Sequence, residues 1–301
     1  MKKVLSLCLV AAMIFGLGSC TKEAPNQGGQ NPFYVPGGTV DPVDGGGDPE
    51  PTPGIPVGDV PGTFTKKAVL EENTGEWCGW CPEGAKIMED AIAANPGKVI
   101  GMAIHDGDPM EVAAYNSWQK SLTKVGGFPN GSVQRADATS RGSWMGEINT
   151  ALGLTADCGI AMVTSESGGL LDVDVYVGYN SAITGDTRIS IAIIENDVPQ
   201  SSPGAQSNYS STVTVDANWK HSHVFRGMVT SNEGDAIALD AADKYTKVSF
   251  KGVDLSTMKI ADMNNVHVAA FVNVNTGATT ASGRDVLNAQ EAGLNETKKW
   301  D

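Results

Sequence analysis

The chain has few basic residues and no motif for nucleotide or hydrolytic chemistry. Only 21 Lys and Arg residues stand against 35 Asp and Glu in 301 residues, which gives a formal net charge of −14. Because a phosphate backbone requires a basic protein face, this composition excludes a nucleic-acid partner. The sequence contains no P-loop, no dinucleotide-binding glycine pattern, no Ser-His-Asp order and no zinc-protease motif. We therefore expect no cofactor and no metal site.

Long apolar runs are equally scarce. Val4 to Leu17 follows two lysines and has the length of a signal-peptide core, too short for a typical spanning helix. The run ends in Leu17-Gly18-Ser19-Cys20, which matches a bacterial lipobox. We predict that residues 1–20 are a lipoprotein signal peptide and that Cys20 carries the lipid anchor. The alternative is an ordinary cleaved signal peptide followed by an accidental cysteine.

The residues after this signal suggest where the chain is held. Thr21 stands where an inner-membrane lipoprotein often has aspartate, so we expect an outer-membrane lipoprotein of the cell envelope, on the periplasmic or the surface face. Residues 21–62 are rich in Gly, Pro and Asp and too poor in apolar residues to bury a core. This segment is predicted to be a disordered linker.

Two patterns divide the rest of the chain. Residues 63–157 alternate between strand and helix patterns, which indicates an α/β domain. Residues 158–301 show repeated short strands without helices, which indicates an all-β antiparallel sandwich of Ig-like type. The predicted helices are Pro82–Asn95, Pro109–Thr123 and Ser143–Leu152. The predicted strands include Lys67–Leu70, Val99–Ile104, Ser132–Arg135, Leu170–Tyr179, Thr187–Glu195, His221–Thr230, Lys247–Gly252 and His267–Val274.

Cysteine is rare, and two of the five cysteines form a CxxC pair. Cys78 and Cys81 lie between a predicted strand and a predicted helix. A helix that starts at Cys78 would place this thiol at an exposed N-terminus, where the helix dipole stabilises the thiolate that disulfide exchange needs. With Cys8 in the predicted signal peptide and Cys20 predicted to carry lipid, Cys158 is left over once the pair forms. It is interpreted as a small buried hydrophobic residue, with a third redox cysteine as the alternative.

The residues around this pair resemble a thioredoxin-fold domain. The resemblance rests on Trp77-Cys78-Gly79-Trp80-Cys81 between strand and helix and on the later Phe128-Pro129. It implies that Pro129 is a cis-proline that faces the CxxC pair and helps to pair the substrate backbone. The alternative is a trans proline in a loop. It also implies that Glu72 is a buried acid that moves a proton to and from Cys81. The neighbouring Glu71 makes the assignment ambiguous, because alternation along a strand buries one of the two and exposes the other. The alternative is that both face solvent at the end of the strand.

The mature chain as a whole is similar to the thioredoxin-like outer-membrane lipoproteins of Bacteroidetes, often called Omp28-related proteins. The similarity is carried by the lipobox, the linker, Glu71-Glu72-Asn73-Thr74-Gly75, Gly127-Phe128-Pro129 and His221-Ser222-His223-Val224-Phe225-Arg226. It implies the fold class, an α/β thioredoxin-like domain followed by an all-β antiparallel sandwich. The names used in this family suggest a surface or adhesin role as well as redox chemistry.

Further residues complete the predicted site. Trp77, Trp80 and Phe128 are expected to form an apolar surface for disulfide-bearing protein substrates, unless Trp77 packs against the sheet edge. His105 follows a buried strand and could stabilise the Cys78 thiolate, but an ion pair with the adjoining Asp106 or Asp108 is the favoured alternative. His221 and His223 have the spacing of a two-histidine metal site on a strand, with His267 as a third ligand only if its strand is a neighbour. The favoured interpretation is that they are two polar strand residues that pack or form hydrogen bonds.

Two functions remain open at this level. The first is a membrane-anchored thiol–disulfide oxidoreductase with an unidentified redox partner, in which Cys78 attacks the substrate and Cys81 resolves the mixed disulfide. The second is a surface-exposed binding or adhesin-like lipoprotein whose CxxC disulfide is not catalytic. The short loop between the cysteines slightly favours the first, because closing so short a loop adds little stability.

Overall fold

The structure is a computed structural model that describes residues 39–41, 55–240, 244–275 and 284–301. Strand accounts for 40% and helix for 18% of what is described. The helices are α1 (Cys81–Ala94), α2 (Ala113–Thr123) and α3 (Arg141–Leu152). The strands are β1 (Thr39–Asp41), β2 (Ala68–Thr74), β3 (Val99–His105), β4 (Asn130–Val133), β5 (Thr139–Ser140), β6 (Cys158–Ser167), β7 (Leu170–Tyr179), β8 (Asp186–Glu195), β9 (Val198–Pro199), β10 (Lys220–His221), β11 (Val224–Met228), β12 (Asp235–Ala236), β13 (Tyr245–Asp254), β14 (Val266–Asn275), β15 (Arg284–Gly293) and β16 (Thr297–Lys298).

A nine-stranded mixed sheet forms the centre of the molecule. Its order is β15-β14-β8-β11-β3-β2-β4-β5, and β12 also pairs with β8. Strands β2 and β3 are parallel, and β4 is antiparallel to β2. Strand β11 joins the two halves, because it pairs parallel to β3 at Val224 and Ala103 and antiparallel to β8.

The predicted fold class, an α/β thioredoxin-like domain followed by an all-β antiparallel sandwich, is therefore wrong. The molecule is mostly β, and strands from both sides of residue 157 share one mixed sheet. The physical reason is the open edge of β3, whose unpaired backbone groups need partners and find them on β11. The alternation of residues along each strand indicates a strand, but it does not identify the neighbouring strand.

A second sheet packs on one end of the first. It has five antiparallel strands in the order β1-β13-β7-β6-β16. Its inner face meets the inner face of β8 and β14 in the largest apolar core. Residues of this core include Ile160, Met162, Val173, Val175, Val177, Ile189, Ile191, Ile193, Phe250, Val268 and Ala270. Burial of such side chains is worth about 1.5–3 kcal/mol each, which stabilises this end of the molecule.

The helices cover both faces of the other end. Helices α1 and α3 pack on the face that Leu70 and Val99 line, and α2 packs through Tyr115 on the face that Val69 lines. Pro82 fits the first turn of α1, where its missing N–H costs little. Because both faces are covered, every residue of β2 and β3 is buried.

Most predicted elements are present, with shifted ends. The predicted strand over His221–Thr230 is interrupted, because His223 has a positive φ of 56° between β10 and β11. Strand β15 was not predicted at all. The third cysteine, Cys158, is fully buried in the core, and burial raises its pKa to about 12, so its thiol is unreactive in the folded chain.

The predicted signal peptide and the lipidation site Cys20 lie outside the described residues. The predicted linker 21–62 is described only at β1 and from residue 55, where Val57 is buried against Tyr176 of β7. Among the described residues, none of the helices is long and apolar enough to cross a membrane.

Candidate functional site

The CxxC pair lies in a turn between β2 and α1 and is oxidised. Cys78 and Cys81 form a disulfide with their Cα atoms 5.4 Å apart. The helix begins at Cys81 and not at Cys78, because the Cys78 N–H donates to Gly75 O and closes a turn ahead of the helix. Cys78 is 5% exposed and Cys81 is 1% exposed, so the prediction of a freely exposed first thiol is wrong.

An aromatic rim surrounds this disulfide. Trp77 is 49% exposed and Trp80 is 45% exposed, and both flank Cys78. The Trp77 ring meets Phe128 edge to face with centroids 5.0 Å apart, and its Nε1 donates to Asp106 O. Trp80 lies under the Arg141 guanidinium at 5.2 Å. Exposed aromatic side chains of this kind are typical of surfaces that bind other polypeptides.

Glu72 lies against Gly84 of α1, and within the described part of the chain no ion pair compensates its charge. It is fully buried, and its Oε1 has no hydrogen-bond partner within the described part of the chain. Burial raises the pKa of Glu72 well above its usual range, which favours the neutral, protonated form of the carboxyl group.

Gly84 makes the approach of Glu72 to α1 possible. This glycine is three residues after Cys81 on the helix. A Cβ added at Gly84 would collide with Glu72 Oε1 and would lie 3.0 Å from Pro129 Cβ. The peptide bond between Phe128 and Pro129 is cis, as the resemblance implies. Glu72, Pro129 and the first turns of α1 therefore meet at one glycine.

Glu71, the neighbour of Glu72 on β2, belongs to a different environment. Tyr115 Oη donates to Glu71 Oε1 at 2.5 Å, and Arg135 Nε lies 3.7 Å from Glu71 Oε2. Arg135 also donates to Tyr115 and packs over the Phe271 ring at 4.5 Å. The expected alternation of one buried and one exposed glutamate is wrong, because both faces of the sheet are covered.

His105 is connected to the CxxC turn through Asp108 and the backbone of Glu76. Its Nδ1 lies 2.6 Å from Asp108 Oδ2, and the same oxygen accepts from Glu76 N–H, two residues before Cys78. The predicted ion pair with a neighbouring aspartate is therefore present, and it is buried. The contacts of His105 lead to the backbone of the turn and not directly to Cys78.

Other histidines lie near this network, but His221 and His223 do not form a two-histidine metal site. The His221 ring lies edge to face with His105 at 5.0 Å, and burial lowers the pKa of His221 to about 3, so it is neutral at pH 7. His223 turns to Glu89 on α1, with Nε2 3.4 Å from Oε1. His267 pairs with Glu291 on β15. Within the described ranges, no group of three or more potential ligands is placed to hold a metal ion.

A polar segment covers the CxxC turn. We name residues 200–219, between β9 and β10, the strap. Its neck is closed by the pairing of Val198 with His221, and Ser201 binds the buried Glu76 through its N–H and hydroxyl at 2.6 and 2.5 Å. Further along, the strap bonds to three carbonyl oxygens of the turn. The pairs are Ser207 N to Glu76 O at 2.7 Å, Gln206 Nε2 to Cys78 O at 3.1 Å and Tyr209 N to Gly79 O at 2.6 Å.

Sequence reasoning missed most of these supporting residues. The strap is polar and shows no periodicity, and Glu76, Ser201, Gln206 and Tyr209 belong to no motif. Gly84 offered a signal, since an isolated glycine inside a helical pattern often marks close packing. The predicted residues Cys78, Cys81, Glu72, Pro129, Trp77, Trp80 and Phe128 do lie together, and His105 joins them through Asp108.

Fold and site together define a class: a mostly β protein with one large mixed sheet and a CxxC disulfide at the start of a helix. The family model described as outer membrane protein Omp28 matches residues 116–298, more than half of the chain. The chain therefore belongs to the Omp28 family of outer membrane proteins. The matched region includes Pro129 and the strap, and it begins after the CxxC pair.

Two solved structures are similar to the chain. HBP35 of Porphyromonas gingivalis has a TM-score of 0.66 at 20% identity, over 79% of this chain and 78% of that chain. Protein AGR_C_4864 from Agrobacterium tumefaciens has a TM-score of 0.49 at 15% identity, over 78% and 97%. At these identities HBP35 supports the fold alone. No curated protein matches the chain.

Proposed function

We propose that the chain is a thiol–disulfide oxidoreductase that a lipid on Cys20 holds at the outer membrane, facing the periplasm or the surface. The observation that carries the proposal is the Cys78–Cys81 disulfide at the start of α1, with the buried acid Glu72 packed against Gly84 of the same helix. Its substrates are exported proteins with thiols or disulfides. A redox partner that also exchanges thiols and disulfides returns the CxxC pair to its starting oxidation state.

The reaction begins at Cys78, the more exposed of the two cysteines. A substrate thiolate attacks Cys78 Sγ, so the Cys78–Cys81 bond breaks and a mixed disulfide forms. Cys81 leaves as a thiolate and takes the proton that Glu72 holds. A second substrate thiolate then attacks the substrate sulfur and releases Cys78. The substrate loses two electrons and the CxxC pair gains them; the reverse sequence reduces a substrate disulfide.

The other residues have supporting roles in this proposal. Pro129 and Phe128 orient the substrate backbone beside the disulfide, and Trp77 and Trp80 bind its apolar side chains. His105 is a modulator that positions the turn through Asp108. Helix α1 begins at Cys81, so the N-terminal end of its dipole stabilises the thiolates that form at this turn.

A mixed-disulfide trap tests the proposal. The full chain carrying Cys81→Ser and Cys158→Ser cannot resolve an adduct on Cys78, so covalent partners from envelope extract are expected on non-reducing gels. The matched control carries Cys78→Ser in addition and should yield none. If Cys78 reacts with small alkylating reagents but captures no protein, the redox role fails and the alternative of a binding lipoprotein stands.

A further inference from the structure

Some of the hydrogen bonds between the strap and the CxxC turn do not depend on the sequence of the strap. Two of its donors to the turn are backbone N–H groups, those of Ser207 and Tyr209. Alternate N–H groups of an extended chain point the same way, so any extended polypeptide presents this pattern. The acceptors are the carbonyl oxygens of Glu76, Cys78 and Gly79, which we name the docking edge.

The side chain of Tyr209 adds a side-chain contact to these backbone bonds, as a bound peptide would. Its ring lies over Gly79, where an added Cβ would collide with it, and meets Trp80 edge to face at 6.1 Å. The ring is still 68% exposed. The strap thus covers Gly79, next to Cys78, with one aromatic side chain and main-chain bonds, as strand addition does at the edge of a sheet.

The strap is attached by polar bonds and not by apolar burial. Between residues 201 and 219 the side chain of Gln206 is the buried one, and the rest are half-buried or exposed. No residue of this range belongs to an apolar core cluster of the described chain. Segments with few buried apolar contacts open locally at low free-energy cost. The strap can therefore leave the turn while the sheets stay folded.

We propose that the docking edge binds an extended segment of a polypeptide, and that the strap occupies this edge in the resting chain and shields Cys78. A substrate enters by displacing the strap around its neck at β9 and β10. The inference deepens the proposed function and rests on it for the identity of the partner as a thiol- or disulfide-bearing polypeptide.

Hydrogen exchange on a loaded chain tests the displacement. The Cys81→Ser, Cys158→Ser chain is joined at Cys78 to an unstructured cysteine peptide, supplied as its pyridyl disulfide so that pyridinethione leaves. The control is the same chain capped with a methylthio group. The amides of Ser207 and Tyr209 should exchange at least about tenfold faster in the peptide adduct than in the capped chain. The amide of Val229, which donates to Ile191 O, should not change. Unchanged protection of Ser207 and Tyr209 in the adduct would overturn the proposal.

Strap variants test the shielding without any substrate. Gln206→Ala and Tyr209→Ala each remove a contact with the turn, so reduction of the Cys78–Cys81 disulfide by dithiothreitol should accelerate by about three- to tenfold. Thr212→Ala is the matched control, since Thr212 bonds to Ser210 within the strap. Alkylation of the buried Cys158 reports any unfolding. Equal rates in all four chains would contradict the shielding.

The two tests separate this inference from the proposed function. Activated peptide reaches Cys78 chemically, whether or not the chain captures natural partners. Release of the strap without capture from extract would retain the docking edge and reject the redox role. If partners are captured from extract while the strap amides stay protected, the redox role is retained and the docking edge is rejected.

Discussion

Adjacent residues on β2 show how the two faces of one sheet divide stability from chemistry. Glu71 and Glu72 are both fully buried, and they point to opposite faces of the nine-stranded sheet. Glu71 meets Tyr115 and Arg135, whereas Glu72 meets Gly84 of α1 and pairs with no cation of the described chain. The same side chain is therefore part of an ion network on one face and an uncompensated acid on the other.

This difference follows from what each face contains. A buried carboxylate is tolerated when a cation and hydrogen bonds replace its water, and otherwise it keeps its proton. On the α2 face burial raises the pKa of Tyr115, with a contribution from Glu71, so its hydroxyl stays protonated and donates. On the α1 face Glu72 Oε1 has no hydrogen-bond partner in the described chain, and burial raises the pKa of this carboxyl group.

The largest effect is expected from removing the cation that pairs with Glu71. Arg135→Met leaves Glu71 buried without its cation and should lower the free energy of unfolding by about 3–5 kcal/mol. Urea denaturation at pH 7 measures it. Arg141→Met removes a partly exposed arginine that pairs with Glu83, and should cost no more than about 1 kcal/mol. A similar small loss for both variants would show that the Glu71 face is not an ion network.

Substitution of Glu72 should change the free energy of unfolding in the opposite direction, by an amount that depends on pH. The folded pKa of Glu72 is raised, so above the ordinary carboxyl pKa the unfolded chain releases a proton that the folded chain keeps, and stability falls as pH rises. Glu72→Gln removes this penalty. It should raise the free energy of unfolding by roughly 1.4 kcal/mol per pH unit between the ordinary and the raised pKa, with no gain below pH 4.

Glu71→Gln is the matched control for that substitution. It leaves Arg135 as an unpaired buried charge, so it should destabilise the chain at pH 7, where Glu72→Gln stabilises it. Denaturation curves at pH 4, 6 and 8 measure both variants. Under the proposed function, Glu72→Gln also slows disulfide exchange. A pH-independent difference between Glu72→Gln and the native chain would contradict the uncompensated acid.

A smaller effect should come from the close approach at Gly84. Gly84→Ala adds a Cβ that meets Glu72 and Pro129, so the Glu72 side chain or the helix must shift, at a cost of about 1–3 kcal/mol. Gly146→Ala on α3 adds its Cβ in open space, and the better helix propensity of alanine should stabilise the chain by about 0.5–1 kcal/mol. Thermal denaturation compares the two. Stabilisation in both would show that Glu72 does not press against α1.

Much of the candidate site was predictable because its parts are local in sequence. The CxxC spacing, Pro82 after it and the apolar runs before and after it are short-range signals, and they indicated the strand, the turn and the helix. The role of Glu72 needed the resemblance, since alternation alone left Glu71 and Glu72 open. The strap stayed uninterpreted because polar loops carry no periodicity that shows what they cover.

The sequence by itself determined the elements, the acidic charge and the chemistry that two close cysteines can perform, because each depends on residues near one another along the chain. Only the tertiary structure decided that β11 pairs with β3, that both faces of β2 are buried and that the strap bonds to the CxxC turn. These depend on which backbone edges and polar groups find partners at long range. Many pairings are compatible with the same local pattern, and the packing of the whole chain selects one of them.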